Sequence, residues 1–265
     1  MIPIQILRVL STIRQFDVPA LLMGGQACVL YGAAEYSRDV DLAVLATDDA
    51  LPRLTDALQA LQATVIAVPA FEPHYLRRGH AVHFSAPPDA DLGPVPPLRI
   101  DIMSLMRGVA PFADLWDRRT TIALAGPSSS EEFLVDLMSL SDLVQAKKTQ
   151  RDKDWPMLRR LVDASYAAAR DTAVLDEQID FWLAELRSPE FLAEAVAEYP
   201  AHAERSLRPA VIAARGDGDI ADALASEQAT EMTADRVYWA PLRRELEALR
   251  HAARRSAGGS HTGNE

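Results

Sequence analysis

Cysteine is nearly absent: Cys28 stands alone in 265 residues, inside an apolar stretch, so no disulfide framework can hold this chain together. No set of His and Cys has the spacing of a zinc site either. Long apolar runs are also missing. The longest apolar region, residues 18 to 34, is broken by Pro19, Gly24, Gly25, Gln26 and Gly32 and falls short of the ~20 uninterrupted apolar residues that span a membrane. The amino terminus lacks the basic-then-apolar layout of a signal peptide, so a cytoplasmic protein away from the membrane is expected. Basic residues are in the minority, 27 against 38 acids, for a formal net charge of −11. That balance works against a broad nucleic-acid footprint, because affinity for phosphate backbones comes mainly from Lys and Arg. It leaves mononucleotides and RNA ends open as partners of a local basic patch. No internal repeat is visible.

Hydrophobic residues at 49% and charged residues at 25% are ordinary globular usage, and the length suits one full domain plus a smaller one. Ile4, Ile6, Leu7, Leu10 and Ile13 predict a first helix over residues 4 to 15. Ala20 to Met23 then reads as a strand, Gly24-Gly25 as a turn, and Gln26 to Ala34 as a helix. Val40 to Ala46 predicts a strand, and Leu51, Leu54, Leu58 and Leu61 predict an amphipathic helix. Thr64 to Val68, Ala81 to Ser85 and Leu98 to Met103 complete a mixed sheet, with the proline-rich loop Pro87 to Pro97 before the last. After Thr121 to Leu124 the texture changes, and Pro127 to Glu132 looks like a helix start with acids in its first turn. Helices are expected over residues 131 to 149, 155 to 170, 174 to 186, 190 to 198, 218 to 228 and 231 to 254. The fold class is therefore α+β: a mixed sheet with flanking helices over residues 1–126, an all-helical domain over 127–255, and a disordered glycine-rich tail over 256–265.

Asp-x-Asp occurs four times, as Asp39/Asp41, Asp89/Asp91, Asp152/Asp154 and Asp217/Asp219. The bare pattern says little, but only the first pair leads into an apolar strand, where residues i and i+2 share a face. Two such carboxylates repel unless a cation sits between them, and hard oxygen ligands favour Mg²⁺ or Mn²⁺. Asp101 is a charge inside a second apolar run, Leu98-Arg99-Ile100-Asp101-Ile102-Met103, which calls for a partner or a task. If the two strands are neighbours, the three acids form one ion-binding cluster and Asp101 is the best placed general base. The alternative is structural: Asp39 and Asp41 cap a strand while Asp101 pairs with Arg99 or another arginine. Gly24-Gly25 lets a backbone approach a phosphate, with N–H groups at the helix start aimed at it, although a plain tight turn uses the same residues.

The stretch Leu22-Met23-Gly24-Gly25, a helix with Tyr31-Gly32, and Ser37-Arg38-Asp39-Val40-Asp41-Leu42 resembles the core signature of the DNA polymerase β type nucleotidyltransferase superfamily, with Asp101 in the place of its third acid. The resemblance is specific over residues 21 to 45, fair over 98 to 103, and loose in the helical half. Within that superfamily the chain looks most like bacterial stand-alone enzymes, including the abortive-infection toxin type. The resemblance implies a core domain over 1–126, Mg²⁺ or Mn²⁺ on Asp39, Asp41 and Asp101, and a nucleoside triphosphate such as ATP as substrate. It also implies nucleotide contacts from Gly24, Gly25 and Arg38, and a triphosphate contact from Lys147 or Lys148. The residues themselves make Lys147 the continuation of an apolar helical face formed by Phe133, Leu137, Leu140 and Val144; a snorkelling lysine at a helix end is the alternative. Asp154 reads as a cap for a helix starting near Trp155-Pro156. His80 and His83 receive no role.

The resulting expectation is an enzyme moving a nucleoside monophosphate onto an acceptor. A small molecule or a protein is favoured by the acidity, and an RNA end is possible. The other class is a nucleotidyltransferase-like module that binds a nucleotide or partner without catalysis; the resemblance alone, and no residue, would place it in a toxin–antitoxin pair. Metal-dependent phosphoester hydrolysis ranks last, because it needs no glycine turn.

Overall fold

The computed structural model describes residues 2–88, 95–126, 132–169 and 172–259. Asp89 and Asp91, residues 89–94 of the proline-rich loop read over Pro87 to Pro97, residues 127–131 of the helix start read over Pro127 to Glu132, and residues 260–265 of the tail lie outside the described residues.

Helix α1 (Ile4–Gln15) leads into β1 (Ala20–Met23), α2 (Gly24–Leu30), β2 (Asp39–Val44), α3 (Ala50–Ala60), β3 (Thr64–Val65), α4 (Pro73–Arg77), β4 (Val82–Ala86), β5 (Leu98–Met103), α5 (Phe112–Asp117), β6 (Thr120–Ala125) and β7 (Glu132–Leu137). The strands form one mixed sheet in the order β3-β4-β5-β2-β1-β7-β6. After it come α6 (Leu140–Ala146), a single 3₁₀ turn at Asp152–Asp154, α7 (Trp155–Ala169), α8 (Asp176–Glu185), α9 (Pro189–Glu198), α10 (Pro200–Arg205), α11 (Pro209–Arg215) and α12 (Ile220–Gly259). The fold class is α+β, with a mixed sheet, flanking helices and a helical C-terminal region.

Period-two alternation makes the central strands two-faced. Val40 and Leu42 on β2, Val82, Phe84 and Ala86 on β4, and Leu98, Ile100 and Ile102 on β5 are buried, while the residues between them on β4 and β5 are not. Helix α1 covers apolar surface with Ile6, Val9, Leu10 and Ile13, all buried and spaced three or four apart, and it packs on α3, β2 and β7. Arg8 locks α1 in place, donating to the carbonyls of Leu61 (3.1 Å) and Pro87 (3.2 Å). Leu51, Leu54 and Leu58 bury the matching face of α3.

Several elements differ from the sequence expectation: α2 takes in Gly24 and Gly25 and ends at Leu30, β3 stops at Val65, and two further differences change the architecture. Residues 132 to 137, read as the first turns of a helix, form β7, which pairs antiparallel with β6 and parallel with β1 through Leu22 and Leu137. Phe133, Leu137, Leu140 and Val144 have helical spacing, but Phe133, Val135 and Leu137 also alternate, and sheet pairing on both sides decides for the strand. Helix α6 begins only at Leu140. The helices read as 218 to 228 and 231 to 254 are one continuous α12, which runs through Thr230 and past Pro241 as far as Gly259, into the segment expected to be unstructured from residue 256. The short helices α4, α5, α10 and α11 carry too few turns to show a period, and three of them begin on a proline at the first helical position.

The described chain divides into two compact units. One comprises Met1–Ala27, Tyr36–Ser139 and Trp239–Glu265 and contains the sheet; the other comprises Cys28–Glu35 and Leu140–Tyr238. In the helical unit Tyr166 meets Trp182 edge-on at 5.2 Å, above a core of Leu158, Leu161, Ile179, Leu183 and Leu192. Arg208 closes the end of α8, donating to the carbonyls of Leu183 and Leu186 at 2.8 Å each and to Glu227 at 3.0 Å.

Candidate active site

The apolar alternation of β2, β4 and β5 leaves their opposite face to polar side chains. Strands β2 and β5 run parallel in a register that sets Asp39 opposite Arg99 and Asp41 opposite Asp101. Strand β4 lies antiparallel on the far side of β5, with His83 opposite Asp101 and Ser85 opposite Arg99. Residues directly across a ladder share a face. Asp39, Asp41 and Asp101 therefore occupy one patch of the sheet together with Arg99 and His83, although 60 positions of chain separate Asp41 from Asp101.

The glycine turn belongs to the same patch. Met23, the last residue of β1, is paired with Asp41, so the chain turns into α2 directly beside that carboxylate. Gly24 has φ +67°, and a Cβ on it would stand 1.9 Å from Asp41 Oδ2. No other residue type fits there without driving Asp41 away. The Gly25 N–H points to the same oxygen at 3.4 Å, and a Cβ on Gly25 would meet Ser37 Oγ at 2.7 Å. The bare backbone thus makes room first for Asp41. The next residue, Gln26, is 1% exposed, and neither end of its amide finds a hydrogen-bond partner among the described residues. Arg38 is exposed, just before β2.

Asp101 is not a bare carboxylate. Its Oδ1 accepts from Arg99 Nε at 2.8 Å and lies 2.8 Å from His83 Nδ1. That second distance requires a proton on Nδ1, since two lone pairs do not approach so closely. The 3.1 Å contact of Arg99 Nη2 with the same His83 nitrogen is then a meeting of two donors, not a hydrogen bond. Burial pushes the Asp101 carboxyl up, but the hydrogen bonds from His83 and Arg99 and their charges outweigh it and hold the group below its ordinary range. The Arg99 guanidinium is held above its ordinary value, first by the Asp101 hydrogen bond and then, against burial, by the charges of Asp101, Asp39 and Asp41. One cation therefore feels all three acids. A carboxylate held this way is a weak base.

No family model matches the chain, and no curated protein matches it. Among solved structures, an antigenic nucleotidyltransferase-like protein from Paracoccidioides brasiliensis is similar to it at 15% identity, over 76% of this chain and 88% of that one, with a TM-score of 0.43.

Among the described residues, no group of three or more His, Cys, Asp or Glu side chains is gathered tightly enough to hold a metal ion as it stands. The donor chemistry nevertheless fits one: three carboxylates on one rigid face are the hard oxygen ligands that Mg²⁺ and Mn²⁺ prefer. As placed, Asp101 Oδ1 is already shared by Arg99 and His83.

Lys147 and Lys148 belong to the helical unit. Both are buried at 8% exposure, with Lys147 Nζ 3.4 Å from Asp154 Oδ1 and Lys148 Nζ 2.6 Å from Glu185 Oε1. Asp154 also accepts from Thr149 Oγ1 (2.6 Å) and Arg151 Nε (2.7 Å), so it organises the 3₁₀ turn before α7 through side chains. His80, at 2% exposure, is bonded through Nε2 to Glu245 on α12 at 2.9 Å. His83 is the residue that sequence reading passed over. Its signal was faint but present: a polar residue in an alternating strand, on the side away from the apolar Val82 and Phe84.

Proposed function

We propose that the chain is a metal-dependent nucleotidyltransferase, taking a nucleoside triphosphate as donor and holding Mg²⁺ or Mn²⁺ on Asp39, Asp41 and Asp101. The observation that carries this reading is the register of β2 against β5, which puts Asp41 beside Asp101 on the face that also receives the glycine turn. When bound, the divalent ions polarise the phosphoryl group and neutralise charge on the departing pyrophosphate. The protein's residues do the rest. Asp39 and Asp41 present oxygens from one stiff strand, Gly24 lets the chain pass close to Asp41, and the exposed Arg38 offers a cation to the phosphates. Asp101, once released by Arg99, accepts the proton of the acceptor hydroxyl. That oxygen bonds to the α-phosphorus, the bond from this phosphorus to the bridging oxygen breaks, and pyrophosphate leaves with the electron pair. The acidity of the chain favours a small molecule or a protein as acceptor over RNA.

The test is to incubate the chain with each labelled triphosphate, Mg²⁺ and a cell extract and to trace the label. Transfer to a discrete acceptor with matching pyrophosphate release is expected. A second reading, a nucleotide-binding module without catalysis, is favoured by the cation seated on Asp101. Triphosphate binding that needs Mg²⁺ but never releases pyrophosphate would decide for that module.

A further inference from the structure

Two side chains donate to the same oxygen of Asp101, and their settings differ. His83 sits in the interior of the ladder: β4 pairs with β5 on one side, and its carbonyl accepts from Ile66 N at 3.0 Å on the other. Its side chain is 27% exposed and reaches Asp101 straight across the antiparallel pair. Arg99 stands on the same strand as Asp101, two residues before it, and its side chain is 45% exposed. A guanidinium is charged at every accessible pH and has a long flexible stem, whereas an imidazole on a rigid strand has two torsions and a fixed reach.

We infer that the two donors act oppositely toward a divalent ion: Arg99 is an internal cation that an ion must displace, and His83 is the positioning residue that stays, holding Oδ1 of Asp101 so that Oδ2 is presented. The inference rests on the proposed ion site. With no ion, Arg99 offsets part of the repulsion among Asp39, Asp41 and Asp101. With an ion, two cations would compete for one acid cluster, and the exposed, flexible one leaves. His83 donates an N–H without having to leave, which is the outer-shell role that fixes a ligating carboxylate; losing such a partner typically lowers metal affinity by about 10- to 100-fold.

The experiment uses Mn²⁺ alone with the full chain, its affinity read by electron paramagnetic resonance, and with folding checked by melting curves. His83→Leu is expected to weaken Mn²⁺ binding by about tenfold or more, and Arg99→Met to tighten it. His83→Asn is expected to bind nearly as wild type does, because its amide N–H falls where Nδ1 lies. In the transfer assay His83→Leu should need about tenfold more Mn²⁺ for half-maximal rate, with KM for the triphosphate unchanged only once Mn²⁺ saturates. Weaker binding by Arg99→Met, unchanged binding by His83→Leu, or equal losses in His83→Leu and His83→Asn would each overturn the inference. Wild-type chain that binds no Mn²⁺ would overturn the proposed function as well, and wild-type binding that survives in Asp41→Asn would move the ion site elsewhere.

Discussion

At the scale of single residues, Gly24 and Gly25 look alike in the sequence and differ in the fold. Gly24 needs its positive φ and lies against Asp41, whereas the obstacle at Gly25 is the end of the Ser37 side chain, which can rotate away. Gly24→Ala is therefore expected to destabilise by ~1 to 2 kcal/mol from backbone conformation alone, and by more once Asp41 is displaced. Gly25→Ala should unfold within about 1 kcal/mol of wild type. Urea unfolding of the two variants checks this, and equal losses would show that the turn does not bear on Asp41. Sequence reading found the glycines, Asp39, Asp41 and Asp101, because a charge or a glycine in an apolar strand stands out. It favoured an ion over Arg99 as the partner of Asp101, and only the register, with His83 across the ladder, shows that Arg99 and His83 reach that carboxylate.

At the scale of elements, β1, β5 and α1 were legible to the residue: β1 is an apolar run between Pro19 and Gly24, β5 alternates after Pro97, and α1 repeats apolar residues at helical spacing after Pro3. Strand β7 was not, because six residues of mixed apolar pattern fit a helix and a strand alike, and partners far along the chain decide. The 3₁₀ turn at Asp152–Asp154 gives a prediction of its own. Burial pushes the Asp154 carboxyl up, but the charge of Lys147, the Thr149 hydrogen bond and Arg151 prevail and hold it below its ordinary range. A carboxyl with a folded pKa below its unfolded one, near 3.9, adds stability that is complete above that pH and is lost as pH falls through the lower folded value. Asp154→Asn should thus be less stable than wild type at pH 7, and the gap between the two should narrow steadily below pH ~4. A gap that stays constant from pH 7 to pH 2 would remove the ion pairs of Asp154 from the account of the turn.

At the scale of the whole molecule, a net charge of −11 sets the terms on which any phosphate ligand approaches. The long-range field repels polyanions, so a triphosphate must bring or find divalent cations. Retention of random-sequence RNA at physiological salt is expected to be absent, and chelation should abolish triphosphate binding; RNA retention that persists without divalent ions would point to a basic surface instead. The most direct measurement is pyrophosphate release by the purified chain with each nucleoside triphosphate, Mg²⁺ and acceptor-containing extract, compared between wild type and Asp41→Asn. The substitution keeps the shape of the side chain and removes one charge from the face that carries Asp39, Asp41 and Asp101. Release should fall by roughly a hundredfold or more, the scale of losing one preorganised electrostatic contact, while the melting curve without Mg²⁺ stays at or above that of wild type. Wild-type rates from a folded Asp41→Asn chain would contradict the account, because the acid paired with Asp101 would then take no part in the chemistry.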